Sequence, residues 1–347
     1  MPDMDWFNTA RFGLFIHWDH ASQQGYEASW PLLGDSGYGR KPAPSAAAYH
    51  ASAATFDPSA WDPDELAATA KAAGMRYAVF TSKHHSGWTA WPSKAAPFTI
   101  ASSPYGRRGG DLVGEYATAF RKAGLRVGLY FSLADWSHPD YPAWTDDQRP
   151  YRHRVEIRDP AAWQRFRNTM KDQLTELLTT YGPIDLLWFD GQWERTSQEW
   201  DSADLLRHLR TLAPEVVIND RLPEAGDYRT PEQFIPAKGY TGPWETCMTL
   251  NDSWAYVPED QAYKSPAEVI RSLVEIVSRG GNLLLNVGPR GDGSIPEPER
   301  ESLLALADWM RARREQWWSL TDPCQFRLPD GDPDSQWTTA ESVFFMA

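Results

Sequence analysis

The stretch Leu186-Leu187-Trp188-Phe189-Asp190-Gly191-Gln192-Trp193 decides how this chain is read. An apolar run beginning at Ile184 ends in a carboxylate set among aromatic residues and followed by glycine. Apolar residues without alternation describe a strand buried on both faces, as in a parallel sheet covered by helices. Its last charged residue then emerges at the strand's carboxyl end, where parallel α/β proteins place their binding groups. Asp190 beside Trp188, Phe189 and Trp193 suits work on a sugar. Flat aromatic faces hold the ring while a carboxylate attacks the anomeric carbon. An aspartate capping a turn is the plainer reading, and the rest of the chain decides between them.

Outward from this segment, strand-like and helix-like patterns alternate. Strands are expected at Arg11–His17, Tyr77–Thr81, Arg126–Phe131, Ile184–Asp190, Glu215–Asn219, Trp244–Met248 and Asn282–Asn286. Between them lie amphipathic segments at Asp64–Ala73, Leu112–Lys122, Ala161–Thr180, Ser202–Leu212, Pro266–Ser278 and Pro298–Arg314. Gly74 and Gly124 stand where helices stop, and Ser265-Pro266 reads as an N-cap followed by proline at the first helical position. This alternation over about 300 residues argues for an α/β fold, a (β/α)8-like barrel of TIM type. Seven strands are legible, so the eighth is degenerate or hidden. A doubly wound open sheet is the alternative, weakened because no glycine-rich nucleotide fingerprint follows the first strand. Residues 1–318 are expected to form the catalytic barrel and 319–347 a short C-terminal extension, with a β-like end at Ser342–Met346. That extension is too short for a β-sandwich.

Composition narrows the function. The chain has 347 residues and a net charge of −13, which disfavours nucleic acid and anionic membranes. It has no apolar stretch long enough to span a bilayer. Met1 to Asn8 is short and polar, with no visible signal peptide, so a cytoplasmic protein is expected unless a leader has been removed. Two cysteines, Cys247 and Cys324, make neither a disulfide framework nor a zinc site. Eighteen residues are tryptophan, many beside polar clusters at strand ends, which leans toward carbohydrate.

Those clusters are His17-Trp18-Asp19-His20, Lys83-His84-His85-Ser86-Gly87-Trp88, Tyr130 with Asp135-Trp136, Asp190, Asn219-Asp220-Arg221, and Trp244-Glu245 with Asn251-Asp252-Ser253-Trp254. Several strand ends bearing histidine or carboxylate on one face are hard to attribute to packing. Histidine and aspartate at a barrel mouth also suit zinc. However, neighbouring histidines on an extended strand point opposite ways, and neither His-x-His nor His-Glu-x-x-His occurs. Neither a metal nor any other cofactor is expected. Serine nucleophiles lack their Gly-x-Ser-x-Gly setting.

In order, Arg11-Phe12-Gly13-Leu14-Phe15-Ile16-His17-Trp18, Thr81-Ser82-Lys83-His84-His85, Trp188-Phe189-Asp190-Gly191, Trp244-Glu245-Thr246-Cys247 with Asn251 and Ser253-Trp254, and the run Gly280 to Pro289 with Asp292-Gly293 resemble the α-L-fucosidases of glycoside hydrolase family 29. The resemblance spans about residues 5 to 315. It implies a retaining exo-α-L-fucosidase acting on fucosylated oligosaccharides or glycoconjugates, with Asp190 as nucleophile. It also implies a second carboxyl group about 5–5.5 Å away as acid/base. Glu232, in Tyr228-Arg229-Thr230-Pro231-Glu232, is the choice for that group, and Glu245 is its rival. By the same resemblance His17, His84, His85, Tyr130, Trp188, Arg221 and Trp254 contact the sugar. Asp19 stands where the family usually has glycine, and Ser86-Gly87-Trp88 where it has Asp-Gly-Phe. Tyr26-Glu27-Ala28-Ser29-Trp30 replaces the common Glu-Trp-Tyr segment, making Glu27 and Trp30 further expected contacts. A barrel glycosidase for another 6-deoxy or galacto-configured sugar, or an inactive fucose-binding barrel, are the competing readings. Linkage preference and oligomeric state are left open.

Overall fold

The computed structural model describes residues 2–34, 42–142 and 155–319. Among these residues lie seven parallel strands, and they are the seven expected: β1 Phe12–Ile16, β2 Tyr77–Lys83, β3 Arg126–Ser132, β4 Leu186–Asp190, β5 Val217–Ile218, β6 Glu245–Thr249 and β7 Asn282–Val287. Their order in the sheet is β5-β4-β3-β2-β1-β7-β6, a sequential curl with neighbours in parallel register. The expected extension after Trp318, with Cys324 and the β-like end at 342–346, lies outside the described residues.

The eighth position of the ring is filled without a regular strand. The segment around Tyr228 to Glu232 forms isolated parallel bridges to both edges, Asn219 with Tyr228 on one side and Arg229 with Trp244 and Glu232 with Cys247 on the other. The Asp220 N–H donates to the Tyr228 carbonyl (2.9 Å). The N–H groups of Glu245 and Cys247 donate to the carbonyls of Arg229 (2.9 Å) and Pro231 (3.2 Å). Pro231 has no N–H to give, and the segment lacks an apolar run, so no continuous ladder forms and periodicity does not reveal it. On the other flank the Asn219 side chain takes over where β5 stops. Its Oδ1 accepts from the Phe189 N–H (2.8 Å) and its Nδ2 donates to the Phe189 carbonyl (2.9 Å).

Helices cover the outside: α1 Met4–Ala10, α2 Pro63–Ala72, α3 Leu112–Lys122, α4 Pro160–Thr180, α5 Ser202–Leu212, α6 Pro266–Ser278 and α7 Glu297–Ser319. Helix α6 begins with the expected cap. Ser265 accepts from the Glu268 N–H, and the Glu268 carboxylate accepts in return from the Ser265 N–H. After α2 and α3 the chain turns at Gly74 (φ +87°) and Gly124 (φ +78°), a left-handed conformation favoured by glycine.

The period of two along each strand sorts the side chains into two cores. Leu14, Ile16, Phe80, Leu129, Leu187, Phe189 and Leu285 point out against the helices. Phe15, Tyr77, Val79, Tyr130, Leu186, Trp188, Val217, Cys247 and Leu284 fill the barrel, which α1 closes below with Phe7 and Ala10. Gly13 belongs to the inward set. A Cβ there would lie 2.4 Å from the Tyr77 ring, so only glycine lets that ring cross the barrel floor. The same parity carries His17, Tyr130, Trp188, Asp190 and Asn286 to the inner face at the carboxyl end. Their register is fixed by Tyr130 beside Trp188 and Phe15 beside Asn286.

Candidate active site

A cavity of about 680 Å³ opens at the carboxyl ends of the strands. Ten of the eleven residues singled out in the sequence line it: His17, Glu27, Trp30, His84, Tyr130, Trp188, Asp190, Arg221, Glu232 and Trp254. His85 is not among the lining residues but adjoins four of them, Asp190, His84, Trp30 and Trp193. It is fully buried, with Nε2 at 3.7 Å from Asp190 Oδ2 and ring contacts to Trp30, Trp136 and Trp193.

Asp190 ends β4 and takes two donors. The Tyr130 hydroxyl donates to Oδ2 (2.8 Å) and Arg221 Nη1 to Oδ1 (2.7 Å). Burial, then the neighbouring Asp190 charge, pushes the Tyr130 phenol well above its ordinary value, so it remains a donor. Arg221 lies over the Trp188 ring, 4.5 Å from its centroid, and its other terminal nitrogen donates to Glu232 Oε2 (2.6 Å). One planar guanidinium therefore holds both carboxylates. Asp190 is nearly enclosed, its side chain 10 % exposed, whereas that of Glu232 is 39 % exposed at the mouth. Charge-assisted bonds, an aromatic wall and a solvent-facing second carboxylate make an arrangement suited to covalent attack with proton transfer.

Glu245, the rival acid, lies beneath this floor and does not line the cavity. It is fully buried, bonded by the Tyr77 hydroxyl, by Trp188 Nε1 (3.0 Å) and by the Tyr228 hydroxyl (3.3 Å). It braces Trp188 from below.

The histidines are oriented from behind. Asn286 Nδ2 donates to the Trp254 carbonyl (2.6 Å), so its Oδ1 faces His17 Nδ1 at 2.7 Å. In this network His17 carries its proton on Nδ1 and presents Nε2 as an acceptor. Ser132 donates to the Ala134 carbonyl (2.7 Å) and accepts from His85 Nδ1 (2.6 Å). Ser29 meets His84 Nδ1 at 2.7 Å and accepts the Ser86 N–H at 2.7 Å. These partners were not singled out in the sequence, because they act through space from other strands and loops.

The sequence departures touch one another. Ser29 joins the 26–30 segment to Ser86 and His84. His20, next to Asp19, packs its ring on Trp88 (5.5 Å). Asp19 caps the turn after β1 by accepting the Ala21 N–H (2.8 Å). Glu27 accepts from the N–H groups of Trp254 (2.6 Å) and Ala255 (3.2 Å), so its carboxylate clamps the loop that carries Trp254. Three local changes thus form one patch. Trp193, Phe15 and Gln233 also line the cavity. Trp193 lies nearly parallel to Trp30 (12°, 6.4 Å between centroids), and only its place three residues after Asp190 signals it.

Burial sets the charge states and predicts a pH profile for stability. Desolvation pushes Glu27 and Glu299 up to about 8, and Asp19 and Glu245 to about 7. It lowers His17 to about 4, His20 to about 3, and His84 well below 6.5. The raised carboxyls contribute stability that is full below their ordinary values and lost as pH rises through about 7–8. The lowered histidines contribute stability that is full above 6.5 and lost as pH falls through their folded values. Between about 4.5 and 6.5 the two slopes oppose each other. A plateau in melting temperature is therefore expected there, with a fall on the alkaline side from about 6.5 to 8. Glu299→Gln, remote from the cavity, is expected to flatten the alkaline fall. A melting temperature that rises steadily across that range would contradict this.

A family model described as Alpha-L-fucosidase matches residues 1–315. The tissue alpha-L-fucosidase of Homo sapiens is 35% identical over 331 residues, covering 89% of this chain and 68% of that protein. The structure of alpha-L-fucosidase isoenzyme 1 from Paenibacillus thiaminolyticus superposes with a TM-score of 0.77 at 39% identity, over 90% of this chain and 76% of that one. An alpha-L-fucosidase of family GH29 from Bacteroides thetaiotaomicron, a trapped covalent intermediate in complex with 2-fluoro-fucosyl fluoride, matches with a TM-score of 0.77 at 30% identity, over 89% and 74% of the two chains.

Proposed function

Because the chain belongs to the α-L-fucosidase family, whose members are glycoside hydrolases, we propose that it removes terminal α-L-fucosyl groups from oligosaccharides or glycoconjugates by a retaining double displacement. One observation carries the reading: Arg221 bridges Asp190 at the end of β4 and Glu232 at the mouth. One guanidinium bonded to both keeps the two carboxyls within its reach of each other, as a nucleophile and its acid/base must be; the retaining arrangement calls for about 5–5.5 Å between them. The trapped intermediate of the Bacteroides thetaiotaomicron enzyme supports a covalent route.

In the first step an Asp190 oxygen forms a bond to the anomeric carbon, the bond to the leaving oxygen breaks, and Glu232 gives that oxygen its proton. Tyr130 and Arg221 hold the Asp190 carboxylate in line. In the second step Glu232 takes a proton from water, the water oxygen bonds to the anomeric carbon, and Asp190 leaves. His17 accepts a hydrogen bond from one sugar hydroxyl through Nε2. His84 and Trp254 border the same space, and Trp188, Trp30 and Trp193 wall it with flat faces suited to the ring and its C5 methyl group.

Product stereochemistry tests the reading. With a fucosylated oligosaccharide, NMR is expected to show α-L-fucose first, with the β-anomer growing in only by mutarotation. β-L-fucose as the first product would overturn the double displacement. No hydrolysis across a panel of α1-2, α1-3/4 and α1-6 linkages, with fucose still bound, would favour an inactive sugar-binding barrel.

A further inference from the structure

Glu232 is followed by a residue in a conformation that side chains rarely adopt. Gln233 has φ +59°, the left-handed region, without being glycine. Strain of this kind persists only where surrounding contacts over-determine it. Here they do. The Gln233 N–H donates to the Cys247 carbonyl (3.0 Å), and the Cys247 N–H donates to Pro231 on the other side of Glu232 (3.2 Å). Thr230 is tied back to Asp220 through its N–H (3.2 Å) and its hydroxyl.

The Gln233 side chain continues this pattern. Along β6 the N–H groups of Glu245 and Cys247 point at the closing segment and find the carbonyls of Arg229 and Pro231. The next N–H in that series, on Thr249, finds Gln233 Oε1 (3.3 Å), while Gln233 Nε2 donates to Thr249 Oγ1 (2.9 Å). A side-chain amide supplies the third rung, at the point where the left-handed turn has taken the backbone away. Thr249 then donates to the Asn251 carbonyl, at the root of the loop that bears Trp254.

We propose that Gln233 is a positioning residue for the leaving-group step: its left-handed turn and its amide rung together hold Glu232 against Arg221. The proposal rests on Glu232 being the acid/base. Gln233 sits exposed at the rim, so losing its side chain leaves both cores intact.

The test compares kcat/KM for a fucosylated oligosaccharide, whose leaving group needs a proton, with kcat/KM for a nitro-substituted aryl α-L-fucoside, whose leaving group does not. In Gln233→Ala the oligosaccharide value is expected to fall about 10- to 100-fold, as a misplaced catalytic group implies. The aryl fucoside value is expected to stay within about threefold, and the basic limb of the pH–rate profile to shift. Thr249→Val, which removes the hydroxyl and keeps the N–H, is expected to show the same selectivity with a smaller loss. Equal losses on both substrates, or none on the oligosaccharide, would overturn the positioning role. Glu232→Ala measured alongside separates the two failures. If it lacks leaving-group dependence, the acid assignment falls and this proposal with it. If it shows the dependence and Gln233→Ala does not, only the role of Gln233 falls.

Discussion

Asp190→Gly is expected to lower turnover on the order of 10⁴-fold or more, about 5 kcal/mol of transition-state stabilisation. Without the carboxylate no ester with the anomeric carbon can form, and the first displacement has no nucleophile. The variant is expected to fold. Asp190 ends its strand at the cavity, and its loss leaves neither partner stranded, since Arg221 keeps Glu232 and the Tyr130 hydroxyl faces open space. Azide should restore part of the activity by occupying the vacated volume and attacking from the same side, giving fucosyl azide of inverted configuration. Asp190→Asn, close in shape, should be as inactive as the glycine variant before azide is added. A glycine variant retaining a tenth of the parent turnover would end the assignment.

Glu232→Ala is expected to separate substrates by their leaving groups. For natural oligosaccharides the departing alkoxide needs a proton, so kcat/KM should fall about 10²- to 10⁴-fold. For aryl fucosides with nitro substituents the first step is spared. The fucosyl-enzyme then accumulates because no base activates water, and azide should speed turnover. The basic limb of the pH–rate profile, which reports the acid, should disappear. Glu245→Ala serves as the comparison. Glu245 touches Tyr77, Trp188 and Tyr228 below the cavity, so its removal should cost stability and lower kcat/KM on both substrate classes alike. The assignment moves to Glu245 if that variant shows the leaving-group dependence and azide response and Glu232→Ala does not.

The sequence made most strands legible because they are short apolar runs ending in polar residues, as strands buried on both faces are; β6, Glu-Thr-Cys-Met-Thr, is the exception. Glycine stops and the Ser265 cap made the helices legible. The Tyr228–Glu232 segment was hidden for a physical reason. Its bonds run through backbone carbonyls and a few side chains, and its polar residues and Pro231 carry no strand periodicity. The site divided the same way. Asp190, His17 and Tyr130 owe their places to strand ends and parity. Glu232 sits between neighbours, Thr230, Pro231 and Gln233, that bond to Asp220, Cys247 and Thr249, and no local pattern records those bonds. His85 was expected at the sugar from the resemblance. Its ring lies against that of His84, 4.1 Å between centroids, with Nδ1 held by Ser132 and Nε2 toward Asp190. Glu27 was expected because its segment stands in for the family's Glu-Trp-Tyr; it lines the cavity, and its carboxyl group accepts from two backbone N–H groups, which the sequence did not show.

The irregular joint between β5 and β6 gives this barrel one replaceable part. Beyond Tyr228, which packs in the barrel core and bonds Glu245, it offers carbonyl oxygens two residues apart to the N–H groups of Glu245 and Cys247, and its own N–H groups at Arg229 and Gln233 to the carbonyls of Pro243 and Cys247. Another stretch of chain meeting that requirement would close the ring without shifting the register of any strand. Residues on β1 to β4 that line the cavity would keep their places, since buried apolar side chains hold them there. The proposed acid, Glu232, and the part of the cavity mouth around it would change. On the proposed reading, most of the fucose pocket and the acid that serves the departing group therefore lie on separable lengths of this chain. An exchange of residues 229–233, which spares Tyr228 in the core, is expected to alter linkage preference while the sugar preference stays unaltered.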